Sequence, residues 1–74
     1  MKNTFKKAVL IDEVKAYCNH ELNTIDRFHC DPNATTSRCY GAVMFLVHAC
    51  DAYDELGPWW NDEMHPRFRE KGAY

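Results

Sequence analysis

Two short stretches carry the residues best suited to chemistry. Cys18-Asn19-His20 lies within YCNHEL and His48-Ala49-Cys50 within VHACDAY, so the second triplet mirrors the first, with Cys30 and Cys39 between them. Mirrored sulfurs and imidazoles suggest a metal site or a pair of disulfide bridges. Zinc needs four ligands converging on one point. If both triplets are helical, residues two apart stand about 200° apart around the axis. Cys18 and His20 then cannot aim at one ion, and neither can His48 and Cys50. The expected metal complement is none, and no cofactor motif appears.

The sulfurs offer a second chemistry. Over residues 18–50 the pattern C-x11-C followed by C-x10-C resembles the paired-cysteine helical hairpins of the twin CX9C class. That resemblance implies bridges from outer to outer and inner to inner cysteine, Cys18 to Cys50 and Cys30 to Cys39. Both spacings depart from the nine of that class. On an unbroken helix Cys30 lies about 120° from Cys18, so the inner bridge requires the first helix to end early. The alternative is four reduced thiols serving as small hydrophobes, and this is the reading adopted. The apolar run Ala8–Ile11 stops at Asp12, too short for a signal-peptide core or a membrane span. A cytoplasmic location, in which thiols stay reduced, is the expectation.

Other catalytic constellations are sparse. His48 and Asp51 are three apart and could pair as acid and base, as could Glu21 with a histidine across a hairpin. No phosphate loop, Gly-rich fingerprint, nucleophile elbow or His-Glu-x-x-His is present. The chain is therefore expected not to be an enzyme. Its net charge of −2 gives no electrostatic case for nucleic acid or an anionic membrane. Arg67 and Arg69 around Phe68 are a weak signal amid acids.

The elements that must position these residues are helical. At about 100° per residue, Leu10, Ile11, Val14, Tyr17, Cys18, Leu22, Ile25 and Phe28 share one face of a helix from roughly Thr4 to His29, capped by Asn3 or Thr4. Glu21 falls near the middle of that face, where a carboxylate needs a partner. Residues 31–37 read as a loop, with Thr35 or Thr36 capping a second helix from about Ser37 to Leu56. An antiparallel hairpin centred on residue 34 sets Cys18 level with Cys50 and Cys30 level with Cys39. The second helix is apolar nearly all round and must be buried on more than one side. Gly57-Pro58 reads as its stop and the point of chain reversal. Trp60, Met64 and Phe68 form a third stripe, with a kink or restart near His65 because of Pro66. Lys71–Tyr74 is expected to fray.

At 74 residues, 46% hydrophobic and 14% aromatic, the chain has room for one apolar domain. The predicted fold is all-α: one domain over residues 1–74, built as a long antiparallel helical hairpin with a shorter, kinked C-terminal helix packed across it. The functional expectation is a non-catalytic protein–protein interaction module that self-associates as a homodimer and acts as a small regulator or adaptor. Tyr40, Met44, Phe45, Trp59 and Trp60 are its candidate anchors, since aromatics and Met dominate such surfaces. Residues 51–63 carry Asp51, Asp54, Glu55, Asp62 and Glu63 with no Lys or Arg, an acidic strip suited to a basic partner, with Asp51, Asp54 and Glu55 as its candidate binding residues. Two alternatives follow from the same features. One is an inhibitor of the phage or mobile-element kind, using the strip to block a nucleic-acid-binding protein. The other is a domain stapled by metal or disulfides.

Overall fold

The computed structural model describes residues 6–74. Helix α1 spans Lys7–Phe28 and α2 spans Pro32–Cys50. The rest of the chain forms α3 (Tyr53–Pro58), a π-helical turn (Trp59–Met64) and α4 (His65–Glu70), which follow one another without interruption. The fold is thus all-α, a long hairpin with a C-terminal helix packed across it. That helix lies against both α1 and α2 and runs in the direction of α1. Lys7 meets Glu55, Asn19 meets Arg67 and Asp26 meets Lys71. The predicted caps Asn3 and Thr4 lie outside the described residues.

The hairpin turns earlier than the sequence reading places it. Asp31 caps α2, its carboxylate accepting from the Ala34 N–H at 2.9 Å, and Pro32 occupies the first turn. Proline is at home there because its missing N–H would have no helical partner. The Asp-Pro pair is therefore a helix start, and neither Thr35 nor Thr36 is the cap. Thr36 bonds back to the Pro32 carbonyl at 2.7 Å instead. His29 closes α1 in the left-handed region (φ 56°), leaving a connection of His29–Asp31. With so short a turn, Cys18 stands opposite Cys39, Glu21 opposite Arg38 and Lys7 opposite Asp51. The hairpin is centred near residue 29, not 34.

The second helix also ends early. Asp51 adopts φ 54°, and the N–H groups of Asp51 and Ala52 both return to the Val47 carbonyl. This satisfies an end carbonyl and reverses the chain. The reversal is at Asp51-Ala52, and Gly57-Pro58 sits inside the following helix. Gly57 has a packing reason to be there: a Cβ on it would stand 3.2 Å from the Tyr53 ring.

The expected break near His65 takes the form of a π turn between two prolines. Pro66 has no N–H, and its ring would clash with the carbonyl four residues earlier in a regular α-helix. The wider turn relieves that clash, and the His65 N–H bonds to the Trp60 carbonyl five residues back. It also serves the packing. Residues four apart drift by about 40° on an α-helix, so Leu56, Trp60, Met64 and Phe68 would wind away from a single line. A wider turn rotates each residue less and brings the four back over the hairpin, where all are at most 4% exposed.

The core joins Ile11, Cys18, Leu22 and Ile25 of α1 to Cys39, Val43, Leu46 and Val47 of α2 and to that C-terminal stripe. Helix α2 is buried on two flanks, by α1 and by the C-terminal helix, as its apolar circumference requires. The last residues fold back toward the start of α2. The Tyr74 N–H donates to Asn33 Oδ1 at 2.9 Å, Lys71 pairs with Asp26, and the Ala73 N–H returns to the Phe68 carbonyl. Among the described residues no helix is long and apolar enough to cross a membrane.

Candidate functional site

The best-formed concavity lies between α2 and α3. Tyr40, Met44 and Val47 supply one wall, Tyr53 and Gly57 the other, and Trp60 the floor of a cleft of about 230 Å³. Its position follows from the helix ends already described. Because α2 ends at Cys50 and α3 begins at Tyr53, the chain returns at once alongside α2 and sets Tyr53 and Gly57 across from Met44 and Val47. Trp60 is 4% exposed, held by Tyr40 at 5.6 Å, a stacked His65 at 5.8 Å and Phe68 at 5.8 Å between ring centroids. Tyr40 and Tyr53 remain 47% and 62% exposed. The cleft therefore has a fixed floor and two open aromatic lips. A second depression, of about 400 Å³, continues it past Tyr40, Trp60 and Asn61 to Thr36 and His65. A larger depression at Pro66, Arg69 and Tyr74 is shallow and formed by the last turn of the chain.

The eight residues singled out from the sequence are not one patch. Tyr40, Met44 and Trp60 meet in the cleft. Phe45 is about 140° round α2 from Tyr40 and 72% exposed. Trp59 faces α1, where Lys15 Nζ lies 5.5 Å from its ring centroid. Asp51 sits exposed at the α2–α3 corner, its carbonyl accepting from Lys7 Nζ at 2.7 Å, and Asp54 is exposed in the first turn of α3. Glu55 turns the other way, to Lys7 Nζ at 3.0 Å. The hydrogen bond from Lys7 holds the Glu55 carboxyl below its ordinary range. Tyr53, Gly57 and Asn61 belong to the cleft and were not singled out. Once a helix starts at Tyr53, their spacing of four and eight marks them as one face.

The mirrored triplets resolve differently. Cys18 and Cys39 are both fully buried, with Cys18 Sγ 4.0 Å from the Cys39 carbonyl. The hydrogen bond with Cys18, together with burial, pushes the Cys39 thiol well above the ordinary cysteine range. This juxtaposition matches neither bridge of the paired-cysteine hairpins, because the register shift leaves Cys50 far along the hairpin from Cys18. His20 and His48 are exposed. Among the described residues no three His, Cys, Asp or Glu side chains converge on a point that could hold a metal.

Glu21 finds its partner in Arg38, whose Nε and a terminal nitrogen approach Oε1 at 3.2 and 2.9 Å. That bond raises the Arg38 pKa further above its ordinary value. The pair leaves no cross-hairpin histidine bonded to the carboxylate. His48 and Asp51 are separated by the end of α2, with Asp51 turned out of the helix.

No protein-family model, curated protein or solved structure matches this chain.

Proposed function

We propose that the protein is a non-catalytic protein–protein interaction module and that the α2–α3 cleft is its binding surface. One observation carries this reading: a buried Trp60 floor between two half-exposed tyrosine lips. A rigid aromatic floor loses little side-chain freedom on binding, and the exposed lips have apolar area still to bury. A photo-reactive amino acid placed at Met44 is the direct test, with the exposed position Asn23 on α1 as control. Specific adducts with one protein of the native host are expected from Met44 and not from Asn23. Equal adducts from both positions, or none from Met44, would overturn the reading.

A second reading, self-association, has its own support. Phe45 stands exposed on the flank of α2 that the C-terminal helix does not cover, and Tyr17 of α1 is 38% exposed. The two functions use different faces and are compatible.

A further inference from the structure

We infer that Cys18 and Cys39 are a reversible redox latch: a disulfide oxidant joins them in one bridge that ties α1 to α2 across the hairpin, and a thiol reductant releases it. The latch is independent of the binding reading, and it is neither of the bridges that the paired-cysteine resemblance implies.

Position is its first support. Cys18 and Cys39 face each other from α1 and α2, and both are fully buried. Cys18 Sγ reaches the α2 main chain, 4.0 Å from the Cys39 carbonyl oxygen, and the two thiols hydrogen-bond to one another. A side chain as short as cysteine touches the opposite main chain only where two helices approach closely, and a bridge needs such an approach. The other two cysteines stand apart from this point. Cys30 lies in the hairpin turn and Cys50 at the far end of α2, and both are partly exposed.

Electrostatics give the two sulfurs different parts. The thiolate is the nucleophile in exchange with a disulfide. The hydrogen bond with Cys39 holds the Cys18 thiol below the ordinary cysteine range, while the same bond and burial hold the Cys39 proton in place. Cys18 therefore attacks first. Its Sγ bonds to one sulfur of an external disulfide, RSSR, and expels the other as a thiolate. With Cys18 capped, Cys39 no longer donates to a thiolate and can give its proton to the expelled one. Cys39 Sγ then attacks Cys18 Sγ and expels the second thiolate, which takes up the proton that Cys18 lost. Two cysteine thiols are oxidised, and one disulfide is reduced to two thiols.

Burial guards the pair. An external disulfide reaches it only when the hairpin opens locally, which keeps the resting thiols reduced. Glu21 and Arg38 stand beside them. The Glu21 carboxylate opposes a thiolate at either sulfur, and the Arg38 guanidinium favours one at Cys39.

The test treats the reduced full chain with glutathione disulfide in native buffer and maps the product by mass spectrometry. A single bridge joining Cys18 to Cys39 is expected. An unfolded chain would favour Cys30–Cys39, whose loop is shorter. The bridged chain should melt at least about 5 °C higher than the reduced one, and dithiothreitol should reverse the shift. Cys30→Ser/Cys50→Ser should keep the bridge and the shift, and Cys39→Ser should lose both. Glu21→Gln should bridge at least about threefold faster than Arg38→Gln. Loosening of the hairpin alone would speed both alike. Bridges through Cys30 or Cys50, glutathione left on those two with Cys18 and Cys39 free, or a bridged chain that melts no higher than the reduced one would overturn the latch. Equal rates for Glu21→Gln and Arg38→Gln would overturn the parts assigned to the two sulfurs.

Discussion

Individual residues divide here into those that hold the fold and those that could meet a partner, and the two tryptophans show the division. Trp60 is enclosed by Tyr40, His65 and Phe68, whereas Trp59 is only half-buried and capped by Lys15. Truncating a buried Trp to Ala costs about 3–5 kcal/mol, a large share of the roughly 5–15 kcal/mol that holds a domain together. Trp60→Ala is therefore expected to lower the melting temperature severely. Trp59→Ala loses a smaller contact area and a cation–π contact of about 0.5–1 kcal/mol, so its melting temperature should fall by less than half as much. Equal melting of Trp60→Ala and wild type would mean that the C-terminal helix does not rest on this residue. The cysteines give a second expectation. Cys18 and Cys39 are buried while Cys30 and Cys50 are partly exposed, and all four thiols are free. A thiol reagent should modify Cys30 and Cys50 first in the native protein and all four after denaturation, on material purified without reductant. Fewer than four denatured thiols would show a bridge. At this scale the sequence was most legible in the core. Cys18, Leu22 and Phe68 are buried as their periodicity requires, and the demand of Glu21 for a partner is met. Which residue supplied that partner was not legible, because it depends on the hairpin register.

Elements were legible in kind and less so in their ends, and the errors have one source. Asp-Pro at 31–32 reads as a helix breaker when viewed from α1 and as a cap with a first-turn proline when viewed from α2. The second view holds, and it moves the turn by about five residues. The α2 end was hidden for a related reason. Asp51 reaches the left-handed region without glycine, and Asp is among the few residues that tolerate it. Gly57-Pro58 then drew the stop signal to the wrong place. The caps are accordingly where the register is decided. Asp31→Ala removes the carboxylate that accepts from the Ala34 N–H, and the loss should be about 0.5–2 kcal/mol. Denaturant unfolding measures it. Asp31→Asn keeps an acceptor oxygen and should recover most of the stability. If Asp31→Ala unfolds at the wild-type midpoint, the cap does not set the hairpin turn. The cleft inherits this history. Its walls are adjacent only because α2 stops at Asp51, so a reading that carried α2 on to Leu56 could name Tyr40, Met44 and Trp60 but could not join them to Tyr53.

The backbone of the described residues spans about 44 × 22 × 15 Å. The thinnest dimension is two helix layers, the hairpin and the C-terminal helix laid over one side of it, so among the described residues no third layer covers the hairpin's other side. Leu10, Val14 and Tyr17 of α1 and Ala42 and Phe45 of α2 fall on the flanks turned away from the C-terminal helix. Leu10, Val14 and Ala42 are half-buried, and Tyr17 and Phe45 are exposed. A standard interface buries about 800 Å² on each partner, and a face of these dimensions is large enough to supply it. Twofold pairing of this face would place the two Phe45 side chains near a shared centre, where exclusion of water matters most. Light scattering at micromolar concentration is expected to show a dimer. Phe45→Glu should convert it to a monomer with little change in thermal stability, since the side chain is mostly exposed in the single chain. Tyr40→Glu should leave the dimer intact, because Tyr40 lines the cleft on the opposite flank of α2. A strict monomer would leave the apolar face without this partner. A dimer dissociated by Tyr40→Glu and not by Phe45→Glu would move self-association into the cleft, with the aromatic floor of Trp60 at its centre.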